Sequence, residues 1–414
     1  MLKFSKSFAA RESLGAISWN FVGMAFSLFT GVITARILAP DDRGLLALFL
    51  IISSLSYLLA AVGTNTAIRT FQPRESWASF CSYFQLSAVL LAVNVLISIS
   101  IVFIFSLVSA SNLGQYWWII SLLAFFTFIS SQLLDVLNAV GMVSYSAFAN
   151  ISGHFSTMSV LVFFFIGTAD AGLANVAFAY IFGFMARIVV ILTLIRKAAI
   201  SPGRGSSYGR RSLLKKGVGF WGVGLGQTLT FRADQLLLGL LSTPSQVGLY
   251  AVASTPASLM QVVSNSIGQV AFRQAAVGKL TVRGLARFLG ASSLVTFFYV
   301  SVLWILAPWV VPFVFGPDYA ESANIVRILL ISELFLGPYL VLVRVLAGLN
   351  QPRWSSASGF VGLGVMIPSL VYLVPLYGAY GAAISTIMGF GGMFVFTAVG
   401  ALIAFRGQNL SETL

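Results

Sequence analysis

The sequence predicts an all-α integral membrane protein with twelve transmembrane helices, arranged as two parallel six-helix lobes around a central cavity. Hydrophobic residues make up 58% of the chain and charged residues only 8%. Apolar stretches recur along the whole chain, each close to the about 20 residues that a helix needs to cross the hydrocarbon core. Basic residues fall almost entirely in every second gap between these stretches. We expect helices because backbone polar groups must bond to one another in lipid.

The charged gaps set the orientation of the spans. Lysine and arginine concentrate in the N-terminal arm and in the second, sixth, eighth and tenth gaps, whereas acids such as Asp41 and Asp42 lie in the others. The positive-inside rule therefore places both termini and the basic gaps in the cytoplasm. The twelve spans are expected at residues 15–38, 44–64, 83–108, 115–138, 145–168, 172–197, 217–241, 246–272, 285–312, 322–348, 354–376 and 378–405.

The most basic gap divides the chain into domains. It contains Gly203, Gly205 and Gly209 among its basic residues, which is typical of a flexible linker. Binding of anionic lipid is an alternative to a plain orienting role for this charge. The predicted domains are an N-terminal lobe (residues 1–197), a cytoplasmic linker (residues 198–216) and a C-terminal lobe (residues 217–414).

The two predicted lobes repeat each other. Pro40 and Gly44 after the first span recur at the same spacing as Pro244 and Gly248 after the seventh. Later matches at one constant offset pair Val136 with Val345, Ser146 with Ser355, Gly153 with Gly362, Gly172 with Gly381, and Gly183 with Gly392. Because each half has an even number of spans, the halves are parallel. Two such lobes can rock to expose a cleft to alternate sides of the membrane.

The composition argues against several kinds of chemistry. Cys81 is the only cysteine and His154 the only histidine, so no cysteine-based metal site or intramolecular disulfide is predicted, and no cofactor. The net charge of +13 is explained by membrane topology, so nucleic acid is not an expected partner. A membrane enzyme such as a polymerase or sugar transferase would need paired acids or a histidine on a long outside loop, and the predicted outside gaps are short.

Ionisable and polar residues inside the spans are the candidate site. A charge at the bilayer centre costs about 2.5–3.5 kcal/mol on insertion scales, so such a residue usually faces a partner or a wet cavity. The candidates for substrate binding in the cavity are Arg36, Arg187, Arg232, Asp234, Gln227, Glu333, Arg327 and Arg344.

The seventh span carries the strongest of these candidates, because Arg232 and Asp234 lie together on a glycine-rich helix. Residues two apart lie on different faces of a helix, so each should have its own partner. For Arg36, Arg327 and Arg344, snorkelling to the interface is the alternative.

Two further expectations concern Arg187, a charged residue deep in the sixth span, and the prolines inside spans eight to eleven. For Arg187 a pair with an acid on another span is the alternative to a substrate role. Pro256, Pro308, Pro338 and Pro368 are expected to bend spans eight to eleven.

Several runs of residues resemble one family. The segment Thr34 to Pro40 followed by Gly44-Leu45, and the segment Asp234 to Gly239 followed by Val247 to Tyr250, are similar to the ends of the first and seventh spans of polysaccharide exporters. Segments 315–319, 348–352 and 375–383 resemble later motifs. The chain thus resembles the O-antigen or polysaccharide flippases of the multidrug, oligosaccharidyl-lipid and polysaccharide exporter superfamily.

This resemblance implies a function. The expected substrate is an undecaprenyl-pyrophosphate-linked oligosaccharide, moved from the cytoplasmic to the periplasmic leaflet of the bacterial inner membrane. Arg232, Arg36 and Arg187 would attract the pyrophosphate through forked donors. Asp234 and Glu333 would hold these arginines or carry a coupling proton or sodium ion. Polysaccharide polymerase machinery is an expected partner. The alternative is a cation-coupled drug antiporter of the same superfamily, which is disfavoured because the first span has no acid between Glu12 and Asp41.

Overall fold

Every regular element in the described part of the chain is helical in the computed structural model, which describes residues 6–70, 77–109, 112–167, 172–197 and 209–411. The all-α prediction is confirmed. The helices are α1 (Lys6–Ile37), α2 (Pro40–Ala61), α3 (Thr64–Thr70), α4 (Trp77–Val108), α5 (Trp117–Ala139), α6 (Val143–Gly167), α7 (Leu173–Lys197), α8 (Arg210–Leu241), α9 (Pro244–Ser258), α10 (Met260–Ala276), α11 (Val282–Phe315), α12 (Ser322–Gly348), α13 (Pro352–Tyr377) and α14 (Ala379–Ser411).

Most of these helices suit a membrane. In the described residues, 10 helical segments are long and apolar enough to cross one, with α9 and α10 together forming a single segment. The apolar part of α1, Phe21–Ile37, is shorter, and α8 is not among the 10. Large apolar side chains such as Phe163, Ile166 and Phe313 lie exposed, as expected of surfaces that face lipid rather than water. The chain is a multi-pass membrane protein, and the count of twelve spans stays a prediction.

The described residues form two compact units. The first comprises the described residues of 1–39 and 45–221, and the second those of 40–44 and 222–414. The predicted linker, residues 198–216, lies outside the described residues as far as position 208. Its last part is helical, because α8 begins at Arg210. Residues 210–221 of α8 pack with the first unit, where Trp221 donates its indole N–H to the Leu58 carbonyl at 2.9 Å.

In the first unit, α5 packs between α4 and α7, and α6 packs against α1 and α7. The α6–α7 contact is close at two glycines, because a methyl group on Gly183 would lie 2.7 Å from the Gly153 carbonyl oxygen. Asp135, in α5, forms an ion pair with Arg69 and accepts a hydrogen bond from Tyr57 at 3.0 Å. Asp135 therefore joins α5 to α2 and α3.

In the second unit, α12 lies at the centre and packs against α9, α10, α11, α13 and α14. The eighth predicted span is broken into α9 and α10 near Leu259. Pro256 explains the break, because proline has no N–H and its ring clashes with the preceding turn. The Pro256 carbonyl accepts a hydrogen bond from the hydroxyl of Tyr299 in α11. The expected bend at Pro256 is therefore confirmed, whereas the helix continues through Pro308, Pro338 and Pro368.

The first matched pair of the repeat meets within the second unit. Pro40 and Pro244 each begin a helix, at α2 and α9, from an extended preceding residue. A methyl group on Gly44 would overlap the Pro244 carbonyl, and one on Gly248 would overlap the Pro40 carbonyl. The spacing that repeats in the sequence is thus a reciprocal close contact that requires glycine at both positions.

Candidate functional site

A polar cavity of about 400 Å³ lies in the second unit, between α8, α9, α10, α12 and α14. It sits beside the α9–α10 break, so that Ser254, Ser258 and Gln261 line it from both sides of Leu259. Irregular backbone at membrane depth is tolerated where it lines a cavity or is buried in protein. The break therefore positions polar side chains that a continuous apolar helix would not present there.

Asp234, in α8, forms the best-ordered part of the cavity wall. The Tyr250 hydroxyl donates to its Oδ2 at 2.6 Å, and the Gln235 backbone N–H donates to its Oδ1 at 2.7 Å. Thr386, in α14, lies 3.4 Å from the same Oδ2 and 3.0 Å from the Tyr250 hydroxyl. Three helices thus converge on one carboxyl group through neutral donors.

Glu333, in α12, is a second buried carboxyl group on the cavity. Gln261 of α10 donates its side-chain amide to Oε1 of Glu333 at 3.2 Å. Oε2 of Glu333 is buried and has no hydrogen-bond partner among the described residues. A buried acceptor without a partner costs about 1–3 kcal/mol, so this oxygen needs a ligand, a water or a proton.

Arg232 lines the same cavity but is exposed. No ion pair within 4.0 Å joins it to an acid in the described parts of the chain. Arg232 and Asp234 thus form no ion pair with each other, as their spacing predicts, although both line one cavity. Hydroxyl and amide groups make the direct hydrogen bonds to Asp234 and Glu333, and a role of these acids in holding arginines stays a prediction.

Arg187 lies in the first unit, in a different setting. It is 9% exposed, and its guanidinium donates to the Asn150 side-chain oxygen at 2.8 Å and to the Ser130 hydroxyl. It also lies over the Phe184 ring, 5.0 Å from the centroid. No acid pairs with it within 4.0 Å in the residues that the structure describes. The guanidinium is thus buried among neutral groups of α5, α6 and α7.

The remaining predicted site residues do not line this cavity. Arg36 is exposed on α1. Gln227, in α8, packs its backbone against Gly359 of α13. Arg327 donates to the Trp304 carbonyl at 3.0 Å, and the stem of Arg344 packs at Gly268 of α10. Arg327 and Arg344 thus each contact a neighbouring helix, and snorkelling of these side chains stays a prediction.

Most of the residues that line the cavity were not predicted from the sequence as site residues. Tyr250 and Thr386 complete the surroundings of Asp234, and Gln261 reaches Glu333. Gln235 bonds to Ser254 at 3.2 Å. Polar residues close to a proline inside an apolar span are a usable indication, and Ser254 and Gln261 flank Pro256. The contact of Thr386 with Asp234 spans 152 positions, which no local pattern reveals.

An all-helical membrane protein with a polar cavity and uncompensated buried charges has the architecture of a membrane transporter. Residues 10–272 match the polysaccharide biosynthesis protein family, and the chain belongs to this family. No curated protein sequence matches it.

Solved structures share the fold. An inward-facing multidrug resistance MATE family transporter of the MOP superfamily has a TM-score of 0.72 at 17% identity, over 94% of this chain and 96% of that one. The lipid II flippase MurJ, in an inward closed conformation, has a TM-score of 0.74 at 13% identity, over 96% and 89%. A mutant of the Vibrio cholerae MATE transporter VcmN has a TM-score of 0.61 at 15% identity, over 97% of each chain. These proteins are transporters and a flippase, not enzymes.

Proposed function

We propose that this protein is a flippase that moves an undecaprenyl-pyrophosphate-linked oligosaccharide from the cytoplasmic to the periplasmic leaflet of the bacterial inner membrane. Both termini would be cytoplasmic, and the chain would work beside polysaccharide polymerase machinery. The family supports polysaccharide biosynthesis as the process. The observation that carries the proposal is the polar cavity of the second unit, because a protein that only anchors in lipid has no use for buried carboxyl groups around open space.

The arginines supply the charge that a pyrophosphate needs. Arg187 is buried without an acid, and Arg232 is exposed at a cavity without an ion pair in the described residues. A guanidinium that no carboxylate neutralises keeps its donors and its charge available for phosphate oxygens. Arg36, exposed on α1, is the third candidate. These side chains would act at different stages as the substrate crosses the membrane by alternating access.

Movement of the substrate requires an energy source, and we propose a coupling proton or sodium ion. Glu333 is the best candidate for a proton carrier, because its Oε2 has no partner in the described structure. Asp234 is the second candidate, although neutral donors already bond both of its oxygens.

The test is a strain in which the gene is deleted. Lipid-linked oligosaccharide should accumulate in the cytoplasmic leaflet, as measured by its protection from a membrane-impermeant oxidant in spheroplasts and its exposure in inverted vesicles. Plasmid-borne wild type should restore the outer-leaflet signal. Arg232→Ala should not, whereas Arg283→Ala, at an exposed arginine of α11, should. Unchanged surface polysaccharide and no accumulation in the deleted strain would overturn the proposal.

A cation-coupled drug antiporter is the second candidate, because solved structures of multidrug transporters share the fold. The same deletion strain separates the two. An antiporter predicts increased accumulation of cationic drugs with normal surface polysaccharide, and a flippase predicts the reverse.

A further inference from the structure

The cavity of the second unit has an uneven supply of hydrogen-bonding groups. Thr228 donates its hydroxyl to the Gly224 carbonyl at 2.9 Å, and Ser254 donates to that of Ala251 at 3.0 Å. Ser258 and Ser332 bond backbone carbonyls of their own helices in the same way. A carbonyl oxygen can only accept, so each of these hydroxyls is already spent as a donor. What they offer to the cavity is lone pairs.

The two carboxyl groups increase this acceptor character. Asp234 and Glu333 are acceptors when ionised, and Oε2 of Glu333 has no partner in the described residues. The donors that remain are the second amide hydrogens of Gln235 and Gln261 and the guanidinium of Arg232, which is exposed. A ligand that fits this wall must bring hydrogen-bond donors.

A pyrophosphate does not meet that requirement. Its ionised oxygens only accept, and the serine and threonine hydroxyls of this wall are already spent as donors. Arg232 can meet a phosphate from its exposed position, but the interior of the cavity cannot solvate one. The oligosaccharide and the pyrophosphate therefore belong at different places.

Size and shape also favour a ring over an ion. A volume of about 400 Å³ lies within the range of about 300–1,000 Å³ found for small-molecule sites. One water takes about 30 Å³, so a lone ion would leave most of the cavity unfilled. Phe231 and Phe390 stand edge to face on one wall, with ring centroids 5.5 Å apart. They provide an apolar surface for the C–H face of a sugar, and the polar lining residues provide acceptors for its hydroxyl groups.

We propose that this cavity is a subsite for one sugar ring of the carried oligosaccharide, which it selects by the ring's hydroxyl or amino donors, and that it excludes the pyrophosphate. This assignment rests on the proposed function for the identity of the ligand. Within it, Gln261 and Ser258 contact the ring, Phe231 and Phe390 cover its apolar face, and Arg232 stays at the edge for the phosphate.

The experiment is saturation-transfer NMR on the full chain in nanodiscs of phosphatidylethanolamine and phosphatidylglycerol. Methyl β-glucoside tests hydroxyl donors and methyl β-glucosaminide tests an amino donor. Binding of either supports the subsite, and the tighter one identifies the donor. Gln261→Ala should weaken binding about tenfold, since it removes one polar contact. Gln274→Ala, at an exposed glutamine of the same helix, should leave binding unchanged.

Three results would overturn the subsite. The first is that neither glycoside binds. The other two are displacement of a bound glycoside by inorganic pyrophosphate and displacement by sodium chloride at constant ionic strength. A fourth arm fills the cavity with Ser258→Phe, and retained glycoside binding in that folded variant would also overturn it. If the subsite fails while the deletion strain still accumulates inner-leaflet substrate, the flippase proposal stands alone. If glycosides bind but nothing accumulates, the flippase proposal falls.

Discussion

The Arg187 cluster of the first unit and the cavity of the second unit bury side chains of opposite charge. The first unit encloses the guanidinium of Arg187 among Ser130, Asn150 and Phe184. The second places the carboxyl groups of Asp234 and Glu333 on an open cavity. Arg187, Asp234 and Glu333 each lack an ion pair within 4.0 Å in the described residues, whereas the buried Asp135 of the first unit pairs with Arg69. A positive group in tightly packed surroundings thus contrasts with negative groups beside empty space.

The internal repeat shows that these sites are not copies. At the offset that pairs Gly153 with Gly362, Arg187 corresponds to Phe396. Asn150 and Ser130 correspond at the same offset to Gly359 and Tyr339, so the second unit lacks the arginine cluster.

The first unit likewise lacks a counterpart of the Asp234–Tyr250 pair. At the offset that pairs Pro40 with Pro244, Asp234 corresponds to Thr30 and Tyr250 to Leu46, which is fully buried. Packing positions persist between the halves, whereas the polar chemistry has diverged.

The largest effect is expected for Asp234→Ala. The Tyr250 hydroxyl loses the carboxyl acceptor that it meets at 2.6 Å and keeps only the Thr386 hydroxyl at 3.0 Å, which itself donates to the Ala382 carbonyl. The cavity wall thus loses both an acid and the group on which three helices converge. Polysaccharide export should be abolished. Surface polysaccharide in the deletion strain measures this, with immunoblots of membranes for protein level.

Glu321→Gln is the matched control, because Glu321 is an exposed acid at the start of α12. It should export normally. Normal export by Asp234→Ala at normal protein level would show that Asp234 is not required for transport. The buried charge of the second unit would then lack the functional role proposed for it.

The next effect separates charge from packing in the first unit. Arg187→Met removes a buried charge that no carboxylate pairs, which favours the folded state, but it leaves the Asn150 side-chain oxygen without this donor, which costs about 1–3 kcal/mol. Because the two effects oppose each other, we expect the melting temperature of the detergent-solubilised protein to change little while export falls at least severalfold. Arg187→Lys should not restore export, because an ammonium cannot present a planar fork.

The opposite result for Arg187→Met is equally informative. A lower melting temperature with full export from the folded protein would make Arg187 a clamp of α5, α6 and α7 only. Burial of Arg187 would then contribute to the stability of the first unit and not to binding of the substrate.

The sequence predicted the elements far better than the partners within the site. Span positions follow from apolar length, and the break in α9–α10 follows from Pro256, because both are local properties. Arg232, Asp234 and Glu333 were predicted as site residues, since charge in an apolar span is conspicuous, and all three line one cavity.

Contacts between distant positions account for what the sequence did not predict. Gln261 meets Glu333 across 72 positions, and Tyr250 meets Thr386 across 136. Serine, threonine, tyrosine and glutamine are common on buried helix contacts, so their type alone does not mark a site. Gln227 shows the opposite kind of error. It was predicted as a site residue and lies within one helical turn of cavity residues, yet its backbone packs against α13.

Two matched glycines test whether packing is shared as closely as the repeat suggests. A methyl group on Gly183 would overlap Thr157 and the Gly153 carbonyl, whereas one on its counterpart Gly392 would meet only Val365 at 3.4 Å or more. Gly183→Ala should lower stability by about 1–3 kcal/mol through overpacking. Gly392→Ala should be neutral or stabilise by up to about 1 kcal/mol. Equal shifts in melting temperature would show that the counterparts pack alike.

The smallest effect on stability is expected at Glu333, where the cavity should absorb a change that a packed interior would not. Glu333→Gln keeps the shape of the side chain and the oxygen that Gln261 contacts, and Oε2 has no partner in the described residues to lose. The free energy of unfolding should change by less than about 1 kcal/mol, which a small shift in melting temperature would show. Export should nevertheless fall if this group carries the coupling proton. Glu333→Asp, which restores a titratable group on a shorter stem, should recover part of the export. Full export by Glu333→Gln would mean that another group carries the coupling proton. A large loss of stability would show that the cavity wall is packed as tightly as the surroundings of Arg187.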